Sequence, residues 1–217
     1  EGRDIEKINR IVDAARIPGV KILGIEPDSD YNRTVITFAG TPNEVEHAAF
    51  LLIQASILEI DMRHHSGEHP RMGCVDVCPF VPISGVSMEQ CIEIAQRVAM
   101  KVGDLAVPVF MYGGAASDTS RTSLSALRKG EYEDLVHRFN GNSTVHGVST
   151  CLPDFGTNQW DESAQRSGAI TIGARDILIA YNVNIDEKDA KISKQIGSIV
   201  RSSGRLMKSN DKEKKFR

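Results

Sequence analysis

Val20-Lys-Ile-Leu-Gly-Ile-Glu-Pro-Asp-Ser-Asp-Tyr-Asn-Arg-Thr-Val-Ile-Thr-Phe-Ala39 is the stretch that decides the fold. Two runs rich in β-formers, Val20 to Ile25 and Arg33 to Ala39, flank a polar loop carrying Glu26, Asp28, Asp30, Asn32 and Arg33. The second run alternates Val35, Thr37 and Ala39 on one side with Ile36 and Phe38 on the other, as a half-buried strand requires. Adjacent strands joined by so short a loop point to a mixed sheet and away from a doubly wound parallel one.

Working outward, Ile5, Ile8, Ile11, Val12 and Ala15 recur at helical spacing between Asp4 and Arg16, and Pro18-Gly19 ends that run. On the other side, Thr41-Pro42-Asn43-Glu44 has the pattern of a capping box with proline at the first helical position, which predicts a helix to about Ile60. Val75 to Ile83 then reads as a strand, and Ser87-Met88-Glu89-Gln90 opens a helix to about Val102 with a second capping-box pattern. Val107 to Tyr112 reads as a short strand, Leu124 to Lys129 as a short helix, and Phe139 to Gly168 as the longest irregular region. Ile177 to Ile185 reads as a strand, with Asp186 the N-cap of a helix built on Ile192, Ile196, Ile199 and Val200 and stopped at Gly204. A helix–strand–strand–helix–strand order lacks only a first strand to become ferredoxin-like. The expectation is therefore an α+β fold, a ferredoxin-like mixed β-sheet with helices packed on one face.

The 217 residues are 41% hydrophobic, enough for an ordinary globular core. With 26 basic and 29 acidic side chains the formal charge is -3, which gives no general pull towards nucleic acid or membrane. No apolar run approaches the length of a membrane helix, and Glu1-Gly2-Arg3-Asp4 resembles neither a signal peptide nor an intact start. Cys74, Cys78, Cys91 and Cys151 contain no Cys-x-x-Cys pair. They fit a reducing cytoplasm, with Cys78 and Cys91 as small buried hydrophobes.

The chemistry concentrates in Asp61-Met-Arg-His-His-Ser-Gly-Glu-His-Pro-Arg-Met-Gly73, where a simple turn would satisfy the fold. His65 and His69 are four apart, like the pair of a zinc-binding helix, but Gly67 and Pro70 oppose a regular helix there and spacing places no third ligand. Solvated loop histidines are a second reading. A third makes His69 a general acid–base group, held rigid by Gly67 and Pro70 and oriented by a carboxylate such as Glu68 or Asp76. Arg33, Arg71 and Arg121 each sit in a loop beside a strand end, where a guanidinium could hold an anion or pair with a surface acid. Gly113-Gly114 lacks both a dinucleotide fingerprint and a Lys-Ser/Thr ending, so nucleotide binding is set aside. Trp160 either stacks on a flat ligand ring or anchors its own loop.

Asn32-Arg33-Thr34-Val35, Ile60-Asp61-Met62, Gly67-Glu68-His69-Pro70-Arg71-Met72-Gly73, Asp76-Val77-Cys78-Pro79-Phe80-Val81-Pro82, Pro153-Asp154-Phe155-Gly156 and Gly173-Ala174-Arg175 together resemble the N-terminal subdomain of glutamate formimidoyltransferase. The same module heads the bifunctional formimidoyltransferase-cyclodeaminase. The resemblance covers nearly the whole chain in order, and Gly-Glu-His-Pro-Arg-Met-Gly is its most specific part. It implies a cytoplasmic enzyme of histidine catabolism and one-carbon metabolism, which moves the formimidoyl group of N-formimidoyl-L-glutamate to N5 of tetrahydrofolate. His69 corresponds to the family's catalytic histidine, and no metal is implied. The folate-contacting segment corresponds to Gly156 through Gly168, including Trp160 and Ser167, and Glu26 stands where the animal enzyme has an aspartate near the histidine. A homodimer and a cyclodeaminase partner are implied, with no nucleic-acid or membrane partner. Residues 1–206 correspond to the subdomain without its usual first strand, and 207–217 to a charged linker or tail towards a C-terminal subdomain. Two alternatives stay open: a non-catalytic folate-binding or assembly module, and a formyltransferase acting on 5-formyltetrahydrofolate and glutamate.

Overall fold

Helix α1 (Ile5–Ala14) begins at Asp4, whose carboxylate accepts the Lys7 amide, and turns Ile8, Ile11 and Val12 inward. The computed structural model to which it belongs describes residues 1–147, 151–179, 186, 189–200, 205–207 and 214–216, the last six as backbone. Two compact units result, Glu1–Ile177 and Leu178–Arg217.

In the first unit, β1 (Lys21–Asp28) and β2 (Arg33–Ala39) pair antiparallel, with Lys21 opposite Ala39 and Asp28 opposite Arg33. Their turn closes through Asn32 at φ 48, the left-handed region that asparagine tolerates better than most side chains. Helix α2 (Pro42–Glu59) has its proline where the sequence puts it, but Thr41 makes no side-chain capping bond. The Glu44 side chain lies against the Gly19 turn, where an added Cβ would meet Glu44 Cγ at 2.7 Å. The reciprocal box forms fully at α3 (Met88–Gly103), where the Gln90 amide meets Ser87 Oγ at 3.3 Å and the Ser87 amide meets Gln90 Oε1 at 2.9 Å.

The core follows from strand alternation. Helices α1 and α2 cover β1 and β2 through Ile11, Ala15, Ala48 and Leu52 against Ile22, Ile36 and Phe38. Strands β3 (Val77–Phe80), β4 (Val109–Gly113) and β5 (Ile170–Ala174) form a parallel ladder in the order β3-β5-β4. Val109 and Met111 face Ile94, Val98 and Val102 of α3. Phe110 and Tyr112 point the other way, to Met72 and to Leu127 and Leu135 of α4 (Leu124–Leu127) and α5 (Glu131–Phe139). Each fully buried aliphatic side chain in these clusters contributes roughly 1.5–3 kcal/mol.

The α+β class with parallel and antiparallel pairing is as expected, and helices α1 and α2 cover one face of the antiparallel pair. The parallel ladder differs in carrying helices on both faces, and the two kinds of pairing occupy separate ladders. Sequence patterning overlooked α5 and β5 and placed a strand at Ile177–Ile185. Ile177, Leu178 and Ile179 are exposed and outside any strand, and residues 180–185 lie outside the described ones. Helix α6 (Glu162–Ser167), capped by Asp161 on the Ala164 amide at 2.9 Å, interrupts the region read as irregular.

Within the second unit, α7 (Ala190–Val200) starts from Asp189 and not from Asp186, because Asp189 Oδ1 accepts the Lys191 amide at 2.8 Å. Strands β6 (Arg205–Met207) and β7 (Lys214–Phe216) pair antiparallel. The helix stop expected at Gly204 lies outside the described residues. Among the described residues no helix is long and apolar enough to cross a membrane.

Candidate active site

The loop after α2 is held from both sides. Its entry is a single 3-10 turn at Met62–His64, capped by Asp61 and anchored by buried Met62. Gly67 then presses on the β1–β2 turn so closely that a Cβ there would lie 2.4 Å from the Tyr31 oxygen and 2.7 Å from Asn32 Cβ. Asn32 ties the two together, since its Nδ2 donates to the Ser66 carbonyl at 2.7 Å while its Oδ1 accepts the Gly2 amide at 2.9 Å. His65 Nε2 sits 3.1 Å from the Asn32 carbonyl, which can only accept, so that nitrogen carries the proton.

Beyond His69, Gly73 crosses Gly168 in an antiparallel bridge. The Ala169 amide donates to the Met72 carbonyl at 2.9 Å, and the Cys74 amide to the Ser167 carbonyl at 2.8 Å. Arg71 grips Glu133 with two bonds, at 2.8 and 2.7 Å, and Glu131 with a third at 3.2 Å. The loop is therefore bound to the β1–β2 turn, to the residues just before β5 and to α5 at once.

His69 lies between these anchors, half-buried, with the Tyr31 ring edge-on at 6.1 Å. Its Nδ1 is buried without a hydrogen-bond partner. Burial, and then the Arg33 and Arg128 guanidiniums, hold its pKa below the ordinary 6.5, against weaker opposing pulls from the Pro70 backbone and then Glu131. The imidazole is accordingly neutral at pH 7, the form a general base needs. Arg33 stacks over Tyr31 at 5.9 Å, and its Nε is buried without a partner.

Asp76 faces Arg128: Oδ2 meets Arg128 Nη2 at 2.6 Å, and Oδ1 accepts the Met72 amide at 3.0 Å. Burial raises the Asp76 pKa despite that partner. Both of its oxygens are engaged there, on Arg128 and on the Met72 amide. Glu68 is exposed beside the histidine, and Glu26 is exposed on β1 opposite Val35.

Other residues singled out in the sequence carry structural contacts. Arg121 is buried, with Nη1 on Asp154 at 2.6 Å and Nη2 on the Leu152 carbonyl at 2.7 Å. Trp160 packs against Tyr132 at 5.5 Å and Phe139 at 6.1 Å, which anchors its loop. Gly156, at φ 85, fits where a Cβ would strike the Val107 oxygen at 1.9 Å. The Ser167 hydroxyl lies 2.9 Å from the Ser163 and Gly168 carbonyls. Tyr31 and Arg128, both at the histidine, went unnoticed because each sits in ordinary polar sequence. The one available signal was the place of Tyr31 beside Asn32-Arg33.

Residues 1–175 match the model of the formiminotransferase domain, N-terminal subdomain. The chain belongs to the formiminotransferase family. It is 41% identical over 206 residues to a glutamate formimidoyltransferase of Thermoplasma acidophilum, covering 93% of this chain and 64% of that protein. It is 36% identical over 206 residues to a glutamate formimidoyltransferase of Streptococcus pyogenes, covering 94% and 66%. A formimidoyltransferase-cyclodeaminase of Sus scrofa is 41% identical over 187 residues, covering 85% of this chain and 33% of that protein. This formiminotransferase chain thus spans just under two thirds of the single-activity relatives it matches.

Proposed function

We propose that this chain takes part in transferring the formimidoyl group of N-formimidoyl-L-glutamate to N5 of tetrahydrofolate, with His69 as the acid–base residue. The observation that supports it best is the state of His69: neutral, unpartnered at Nδ1, and held on a loop fixed at three points. In this scheme N5 attacks the formimidoyl carbon while neutral His69 removes its proton. A tetrahedral intermediate forms. The imidazolium then returns the proton to the glutamate nitrogen, the carbon–nitrogen bond breaks, and 5-formimidoyltetrahydrofolate and glutamate leave. Arg33 and Arg128 disfavour a lasting imidazolium and so drive the second transfer.

Among the three candidate anion anchors, Arg33 fits best, since Arg71 and Arg121 already direct donors at Glu133 and Asp154. Glu68 stays the candidate orienter of His69, and Glu26 and the Gly156 to Gly168 segment, with Trp160 and Ser167, belong to the folate side of this scheme. Working as a homodimer in the cytoplasm completes it. A cyclodeaminase is the partner suggested by the two-activity relatives.

The test is incubation with both substrates, acidification, and detection of methenyltetrahydrofolate. Turnover that disappears in His69→Ala supports the assignment. Undiminished turnover in that variant overturns it.

A further inference from the structure

Tyr112, near the end of β4, lays its ring across Gly173 of the central strand, where an added Cβ would meet Tyr112 Cδ1 at 2.7 Å. The residue is only 3% exposed, and its hydroxyl is buried without a hydrogen-bond partner. Burial pushes the phenol up to about 12. The side chains that bear on it are Arg175, then the Cys78 thiol and, more weakly, Arg128. Arg175 leaves the end of β5 with its amide on the Phe80 carbonyl at 3.1 Å. Its guanidinium reaches the phenol oxygen closely enough to pull on it as a donor, and a guanidinium can only donate. Neither arginine can accept the hydroxyl proton, and the hydroxyl makes no hydrogen bond of its own.

The same shortage recurs beside it at Arg128, whose Nε is buried without a partner although its Nη2 rests on Asp76. Asp76, the carboxylate that Arg128 binds, is occupied by Arg128 and the Met72 amide. Buried donors left unpaired are destabilising, and a phenylalanine would remove the hydroxyl at no cost in shape. Tyr112 and Arg175 lie at the carboxyl ends of the parallel strands β4 and β5, where open sheets of this kind receive ligands.

We propose that Tyr112 is a substrate-binding residue. Its hydroxyl, with Arg128 Nε and the Arg175 guanidinium, receives a carboxylate of a small amino dicarboxylate, beside His69. This rests on the transfer reaction proposed above, for which it names the residues that hold the acidic end of the amino-acid substrate.

The experiment is calorimetric titration of the wild-type chain and of Tyr112→Phe with L-glutamate in the absence of folate, with thermal unfolding of both. The variant is expected to unfold no earlier than wild type and to bind glutamate at least about tenfold more weakly, the loss of a hydrogen bond to a charged group. With both substrates, it is expected to raise the KM for N-formimidoyl-L-glutamate more than it lowers kcat. Equal affinity in the two proteins, or no glutamate binding by wild type, overturns the proposal. The two readings separate cleanly. Tyr112-dependent glutamate binding without any transfer would remove the reaction and keep the site. His69-dependent transfer with glutamate binding indifferent to Tyr112 would do the reverse.

Discussion

Gly73 and Gly168 cross backbone to backbone, so that a Cβ on Gly168 would lie 2.3 Å from the Met72 oxygen and 2.5 Å from Gly73 Cα. Gly168 also holds φ 65, which an L side chain rarely adopts. Gly168→Ala is therefore expected to destabilise the protein by about 2–4 kcal/mol, combining backbone strain with a clash that no side chain can relieve. Urea unfolding monitored by far-UV circular dichroism measures it. A loss under about 0.5 kcal/mol would show that the crossing can open freely.

The pH dependence of transfer has a definite sign. Because the His69 pKa lies below 6.5, activity is expected to hold as pH falls through 6.5 and to decline only at lower pH. Replacing Arg33 by Gln removes one of the cations that depress it, so the acid limb of kcat should move to higher pH. A limb that stays in place, or moves lower, contradicts the electrostatics described here.

Folding stability shares this origin. His65, His69 and His146 all have depressed pKa values, chiefly through burial. The unfolded chain takes up protons first, so stability is complete above the ordinary value of 6.5 and falls as pH drops from there towards the folded-state values. Denaturation midpoints between pH 8 and pH 5 at constant salt test the trend, and a midpoint that rises on acidification would refute it.

Arg121 makes the opposite case to an anion anchor. Its partner Asp154 is also mostly buried and accepts the Met111 amide at 2.7 Å, so Arg121→Met would strand a carboxylate inside the protein. The expected loss is about 3–5 kcal/mol, without any change in the affinity for anions of the protein that remains folded. Thermal unfolding and glutamate titration of this one variant separate the two roles.

What the sequence made legible was local. Ser87 and Gln90 specify the start of α3 with two mutual bonds that depend on nothing distant, and the alternation of Val35 to Ala39 specifies β2 in the same way. Thr41 and Glu44 show a similar pattern, but Thr41 makes no capping bond and the glutamate side chain lies against the Gly19 turn. Strand β5 was missed since five residues, buried on both faces and including Gly173, carry no alternation to detect. The more apolar run after it drew the assignment. At the site, His69 and Arg33 were visible as residue types in a suggestive loop. Arg128 and Tyr112 were not, because a short helix and a strand end meet them only after α4, β4 and β5 have packed.

The bonds that fix the histidine loop join residues far apart in the chain: Asn32 to Ser66 across 34 positions, and Asp76 to Thr171 across 95. Closing loops of that length is slow and gains nothing until the contacts at their ends form. Local helices such as α3 can assemble early, but the imidazole reaches its working environment only in the last cooperative step. A refolding experiment should therefore see the depressed titration of His69 emerge with the native signal, and no partly folded species should carry it.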